Sequence, residues 1–174
     1  LFFVQMSGFP GSGKSTLSRE IAKRTGSIII DHDIVKSALL NSIDEGSIDG
    51  KLAGKNSYNV DWCLVDFHLS QGQNVILDSP CLYEELVDKG TKLSVKYNIK
   101  YKYIECYLDD FEKINYRLKN RERMVSQIGE IKSEAVFIHT LQSSKKPSNY
   151  KCITVNTGQP LENYLQEVMD YINN

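Results

Sequence analysis

The nine residues Gly8-Phe9-Pro10-Gly11-Ser12-Gly13-Lys14-Ser15-Thr16 constrain this chain more than any other stretch. Residues 8–15 match G-x-x-x-x-G-K-[S/T] at every specified position. The context also fits: apolar residues 1–6 read as a strand, and residues 14–24 as a helix with Leu17, Ile21 and Ala22 at helical spacing. Glycines let the backbone turn so that several N–H groups point at one anion. The helix start adds the positive end of its dipole. In such a loop Lys14 reaches the β- and γ-phosphates of a nucleotide, the Ser15 hydroxyl takes a Mg²⁺ position, and Thr16 lies at the α-phosphate.

Beyond the loop, strand and helix patterns alternate, which predicts a parallel sheet covered on both faces. Residues 27–30, 74–78, 101–108 and 150–155 read as further strands. Helices are expected over 34–40, 57–70, 83–97, 111–124, 133–141 and 161–172. The polar stretch 41–56, with Gly46, Gly50 and Gly54, reads as a mobile loop on the acceptor side. Five strands with intervening helices make a doubly wound α/β fold, here one domain over residues 1–174.

Three groups of residues join the loop as candidates. Asp78 ends the strand Val75-Ile76-Leu77, where a parallel sheet presents its carboxyl ends to a ligand crevice, so it is a second Mg²⁺-associated residue beside Ser15. Asp31-His32-Asp33 follows the second strand. Either Asp31 or Asp33 suits a general base, and Asp33 is preferred because it stands where the next helix is expected to begin and be capped. His32 reads as packing or surface, and Lys36 as a contact to an anionic substrate or a solvated lysine. Arg117 and Arg121, four apart, share a face of the expected helix, with Arg123 close behind. They suit a lid over phosphates at about 115–131, because closure excludes water and strengthens each charge contact. Lys14, Asp33 and Arg121 form the expected catalytic set.

Composition excludes several classes. Lys and Arg total 21 against 22 Asp and Glu, a formal net charge of −1, which gives no support to a large nucleic-acid footprint. No apolar run approaches the roughly 18 residues of a membrane helix. The apolar opening lacks a basic lead and a cleavage site, so it reads as a strand and not as a signal peptide. Cys63, Cys81, Cys106 and Cys152 are dispersed without a C-x-x-C pair, as expected of structural thiols in a reduced, cytoplasmic protein. A guanine-specifying N-K-x-D motif is absent, which argues against a GTPase switch, and the length argues against an ATPase motor with a separate helical lid domain.

In order along the chain, G-F-P-G-S-G-K-S-T, D-H-D, V-I-L-D-S-P and R-L-K-N-R resemble the small P-loop kinases that include polynucleotide 5′-hydroxyl kinase and zeta-toxin-like kinases. The resemblance implies strand order 2-3-1-4-5 and use of ATP with Mg²⁺. It implies Asp33 as the base, Lys36 where polynucleotide kinase has a substrate-binding Arg, and a lid pair spaced R-x-x-x-R at Arg117 and Arg121. It also implies an adenine-contacting loop near the last strand, with Lys145-Lys146-Pro147-Ser148 and Asn156-Thr157-Gly158 as candidates. Tyr58, Asn59 and Trp62 lie where acceptor-binding elements sit, although Trp62 also reads as core. The expectation is a kinase, monomeric or dimeric, that transfers the γ-phosphate to a hydroxyl of a small-molecule or nucleotide-like acceptor. A nucleotide-binding regulator or slow ATPase without an acceptor, and a 5′-hydroxyl nucleic-acid kinase, are the alternatives.

Overall fold

The computed structural model describes residues 1–43 and 49–174. In chain order the elements are β1 (Phe2–Ser7), α1 (Lys14–Thr25), β2 (Ile28–Asp31), α2 (His32–Asn41), α3 (Gly50–Ser70) and β3 (Val75–Asp78). There follow α4 (Glu84–Tyr97), β4 (Lys100–Tyr107), α5 (Phe111–Asn120), α6 (Glu134–Gln142), β5 (Cys152–Asn156) and α7 (Glu162–Asn173). All strand pairings are parallel, and the order across the sheet is β2-β3-β1-β4-β5, as the resemblance implies. β1 is central, and Phe3 through Ser7 are buried because helices cover both faces.

The period of two in β1 divides its side chains between two cores. Val4 and Met6 pack with Leu17 and Ile21 of α1 and Leu165, Val168 and Ile172 of α7. Phe3 packs on the other face with Trp62, Val65 and Leu69 of α3 and Leu86 and Val87 of α4. Gln5 shares that second face, yet it is satisfied: its Oε1 accepts from the Tyr101 hydroxyl at 2.7 Å and its Nε2 donates to the Leu86 carbonyl at 3.1 Å. Gly90 of α4 makes room for this pair, since a Cβ there would lie 2.2 Å from Gln5 Oε1. A third cluster joins Phe9 of the phosphate loop to Ile114 and Leu118 of α5 and Phe137 of α6.

Three expectations about elements change. The stretch 41–56 is not loop throughout: α2 runs to Asn41 and α3 begins at Gly50. The Asp49 side chain caps α3 by accepting from Leu52 N–H at 2.7 Å, which offsets the poor helix propensity of Gly50 and Gly54. Residues 44–48 of that expected loop lie outside the described residues. Helix α5 stops at Asn120 instead of continuing to Met124. Arg121 is already extended (φ −87°, ψ 150°), and Asn120 folds its side-chain amide back onto the Tyr116 carbonyl. Arg117 and Arg121 therefore do not share a helix face. Finally, the cap of α2 is Asp31 and not Asp33. Asp31 Oδ1 accepts from the N–H groups of Asp33 and Ile34, which leaves the Asp33 carboxylate free to face the crevice.

No helix among the described residues is long and apolar enough to cross a membrane. All four cysteines are free thiols.

Candidate functional site

The carboxyl ends of β1, β2 and β3 open into a cavity of about 650 Å³. Its floor is the phosphate loop and its far wall is the segment after α5. Gly8, Gly11 and Gly13 all have positive φ, so the loop winds with its amides inward. Gly8 is confined further: at φ 135° a Cβ would lie 2.3 Å from the Cys106 carbonyl oxygen and 2.6 Å from Ser12 Oγ. Gly8→Ala is expected to destabilise the protein by about 3 kcal/mol or more, read from the denaturant midpoint, because neither the backbone of β4 nor the loop can yield.

Pro10, Gly11, Gly13, Lys14, Ser15 and Thr16 line the cavity. Phe9 instead packs edge-on against Phe137, with ring centroids 4.9 Å apart, and Ser12 is fully buried, so these two contribute backbone rather than side chain. Lys14 Nζ rests on the carbonyls of Gly8 and Phe9 at 2.8 and 3.1 Å. Burial lowers its pKa, and the nearby Asp78 carboxylate resists that shift.

Asp31 and Asp78 are register partners at the tips of β2 and β3. Burial raises the pKa of Asp78, while Lys14 and the Ser15 hydroxyl oppose the rise. Its Oδ2 is buried and has no hydrogen-bond partner among the described residues. An orphaned carboxylate oxygen beside a hydroxyl suits a hard divalent cation, so Ser15 and Asp78 fit Mg²⁺. No group of three or more His, Cys, Asp or Glu among the described residues is arranged to hold a metal. Phosphate oxygens and water would complete such an ion's shell.

Burial, then the charges of Asp78 and Asp33, push the Asp31 carboxyl up to about 6. A raised folded-state pKa means that the folded protein binds this proton more tightly than the unfolded chain. Ionising Asp31 therefore disfavours folding as pH rises from about 4 through 6. Asn at this position keeps a capping oxygen. Asp31→Asn is accordingly expected to raise the thermal midpoint at pH 8, with the gain shrinking below pH 6 and vanishing below about 4.

Asp33 lies in the first turn of α2 and accepts from the Gln127 amide at 2.8 Å through Oδ2. Ser126 reinforces the contact: its hydroxyl donates to the Asp33 backbone carbonyl at 3.1 Å and accepts from the Ser37 hydroxyl at 2.8 Å. Arg121 approaches the same region. Its Nη2 donates to the Ile128 carbonyl at 2.9 Å, its Nε is buried without a hydrogen-bond partner among the described residues, and its charge acts on both Asp33 and Lys14. Arg117 turns the other way, donating to the carbonyls of Gly11 at 3.3 Å and Thr157 at 2.8 Å, and so ties the phosphate loop to the end of β5. The two arginines flank the cavity from different backbone conformations.

The remaining expected residues divide. Thr157 lines the cavity, whereas residues 145–148 border a separate cleft against α4, and Lys146 is paired at 2.6 Å with Glu105. Residues 145–148 are therefore not brought to the nucleotide side. Trp62 is core, edge-on to Phe3. Lys36 lies along Gly54 of α3, and Asn59 is exposed. Sequence reasoning missed Arg19, Gln127 and Tyr164, which line the cavity, and it gave His32 no role. Arg19 was within reach, since it stands one helical turn beyond Ser15. Gln127 carried no signal, because an irregular segment brings it across.

A parallel sheet of this order, with a glycine-rich loop between β1 and α1 and an acid at the tip of β3, defines a P-loop nucleotide-binding fold of the small-kinase type. The chain belongs to the AAA domain family, whose profile matches residues 3–142. Among solved structures it is similar to a candidate kinase from Chloroflexus aurantiacus (TM-score 0.76, 17% identity, 97% of both chains covered). It is also similar to a gluconokinase from Sinorhizobium meliloti (0.63, 16%, 98% of this chain and 90% of that one). A third is the APS kinase of Mycobacterium tuberculosis in complex with AMPPNP and APS (0.64, 12%, 99% and 97%). At these identities the likeness establishes the fold. No curated protein matches the chain.

Proposed function

We propose that this protein is an ATP- and Mg²⁺-dependent kinase that transfers the γ-phosphoryl group to a hydroxyl of a small molecule. The observation that carries this reading is the Asp33 carboxylate. It is released from capping by Asp31, is held by Gln127, and faces the cavity that Lys14, Asp78 and Arg121 also line. A module that only binds nucleotide has no need of an oriented carboxylate there. The kinases named among the similar structures support the same reading.

The residues divide the work. The loop amides and Lys14 receive the β- and γ-phosphates, with Thr16 at the α-phosphate. Ser15 and Asp78 would hold Mg²⁺, which supplies charge neutralisation across the phosphates when bound. Asp33 accepts the proton of the acceptor hydroxyl as its oxygen bonds to the γ-phosphorus and the bond to the β-bridging oxygen breaks, releasing ADP. Arg121, whose Nε–H has no partner among the described residues, would donate to the transferring group, and Arg117 fixes the loop from the β5 side. Thr157 and Tyr164 border the nucleotide end of the cavity. Stabilisation is mainly electrostatic, in a site the 121–131 segment partly closes.

The test is transfer of label from γ-labelled ATP with Mg²⁺ to a panel of sugars, polyols, nucleosides, small antibiotics and 5′-hydroxyl oligonucleotides, with Asp33→Asn alongside. Label on one acceptor class, lost in the variant, supports the reading. Tight ATP binding with no transfer to any acceptor overturns it in favour of a nucleotide-binding regulator.

A further inference from the structure

The Asp33 carboxylate takes its orientation from outside its own helix. Asp31 bonds only the Asp33 backbone N–H, and the neighbouring His32 turns to Asp61, whose Oδ2 lies 2.6 Å from its Nδ1. Among the described residues the one side-chain partner of the carboxylate is Gln127, whose Nε2 donates to Oδ2 at 2.8 Å. Met124 decides which way that amide points. The Met124 N–H can only donate, and it meets Gln127 Oε1 at 3.2 Å, so Nε2 is the end that faces Asp33. The Gln127 N–H returns to the Met124 carbonyl at 3.0 Å and closes a turn over residues 124–127.

A second set of bonds docks this turn on α2. Ser37 is buried and stands one helical turn after Asp33. Its hydroxyl donates to Ser126 Oγ at 2.8 Å and accepts from the Ser126 N–H at 3.3 Å, and Ser126 Oγ donates onward to the Asp33 carbonyl at 3.1 Å. Four hydrogen bonds thus join the start of α2 to residues 89 to 94 positions along the chain. Asp33, Met124 and Gln127 line the cavity, whereas Ser37 and Ser126 do not. The serines hold the turn, and only Gln127 meets the site. One oxygen of Asp33 is left over: Oδ1 has no hydrogen-bond partner among the described residues and is not sealed from solvent.

We propose that the 124–127 turn positions the base: Gln127 occupies Asp33 Oδ2 and leaves Oδ1 for the acceptor hydroxyl, and the Ser37–Ser126 pair keeps the turn in place. This rests on the kinase reading above. Gln127, Ser126 and Ser37 are positioning residues that act through Asp33, and none of them takes the proton.

Two measurements test it. The first needs no turnover and follows amide hydrogen exchange in the isolated protein. The Ser126 N–H is expected to exchange at least about 10-fold more slowly than in an unstructured peptide, and Ser37→Ala to remove that protection. Free-peptide exchange at Ser126, or protection unchanged in Ser37→Ala, overturns the proposal and leaves the kinase reading intact. The second is single-turnover transfer from γ-labelled ATP in a cycle of Gln127→Ala and Asp33→Asn. Gln127→Ala is expected to lower the rate about 10-fold at unchanged ATP affinity, the order of one hydrogen bond to a charged group. In the Asp33→Asn background no proton acceptor remains to be oriented, so adding Gln127→Ala is expected to change the residual rate by less than about 2-fold. Ser37→Ala leaves the carboxylate contact itself in place and is expected to cost about 3-fold, a loss that also disappears in the Asp33→Asn background. A Gln127 that merely staples the segment predicts the same loss in both backgrounds, and that result overturns the proposal while the kinase reading stands. Absence of transfer to every acceptor overturns both.

Discussion

Asp33→Asn is expected to lower phosphoryl transfer by about 10²–10⁴-fold, the range that a positioned general base contributes. ATP affinity is expected to change little, because Asp33 makes no hydrogen bond to the phosphate loop. The amide is isosteric, stays in the first turn of α2, and can still pair with Gln127 across the 2.8 Å contact. Loss of transfer with retained binding is thus assigned to the missing proton acceptor. The competing carboxylate is Asp31, whose oxygen is committed to capping two N–H groups. Single-turnover transfer at saturating ATP is the measurement. A loss under about 10-fold, restored to a large loss only by adding Asp31→Asn, would assign the base to Asp31.

Lys14→Met is expected to weaken ATP binding and to lower turnover by about 10²–10³-fold, comparable to removing one preorganised charge contact from a transition state. Lys14 rests on the carbonyls of Gly8 and Phe9, within the cradle that a triphosphate enters. Methionine preserves length and packing but brings no charge. Calorimetric ATP titration and transfer assays, run together, separate this variant from Asp33→Asn. The proposed function predicts that Lys14→Met affects binding and transfer, and Asp33→Asn transfer alone. A nucleotide-binding regulator predicts that only the Lys14 variant matters. Unchanged affinity in Lys14→Met would remove the basis for placing the triphosphate on this loop.

Much of the fold was legible because its signals are local. A buried parallel strand is a short apolar run, as in Val75-Ile76-Leu77, and an acid at its end falls at the crevice by topology alone. The phosphate loop was legible for the same reason: its glycines are demanded by its own backbone. Helix ends were less so. Capping by Asp31 and the stop at Asn120 depend on side chains turning back onto particular backbone groups, which periodicity does not encode. Asn59 and Lys36 do not line the cavity: Asn59 is exposed and Lys36 lies along Gly54, so position along the chain alone does not place a side chain in a pocket.

The sequence by itself determined the candidate groups: a glycine-rich loop, an acid at a strand tip, and a pair of acids after β2. These follow from spacing within single elements. Only the tertiary structure decided which acid caps α2, which arginine ties the loop to β5 and which turns to the segment after α5, and that His32 meets Asp61. Those pairs are separated by 94 residues for Asp33 with Gln127, 106 for Arg117 with Gly11, and 29 for His32 with Asp61. The physical reason is that such contacts arise when packing brings distant elements together, and a hydrogen bond of about 1 kcal/mol leaves no periodic trace in the chain.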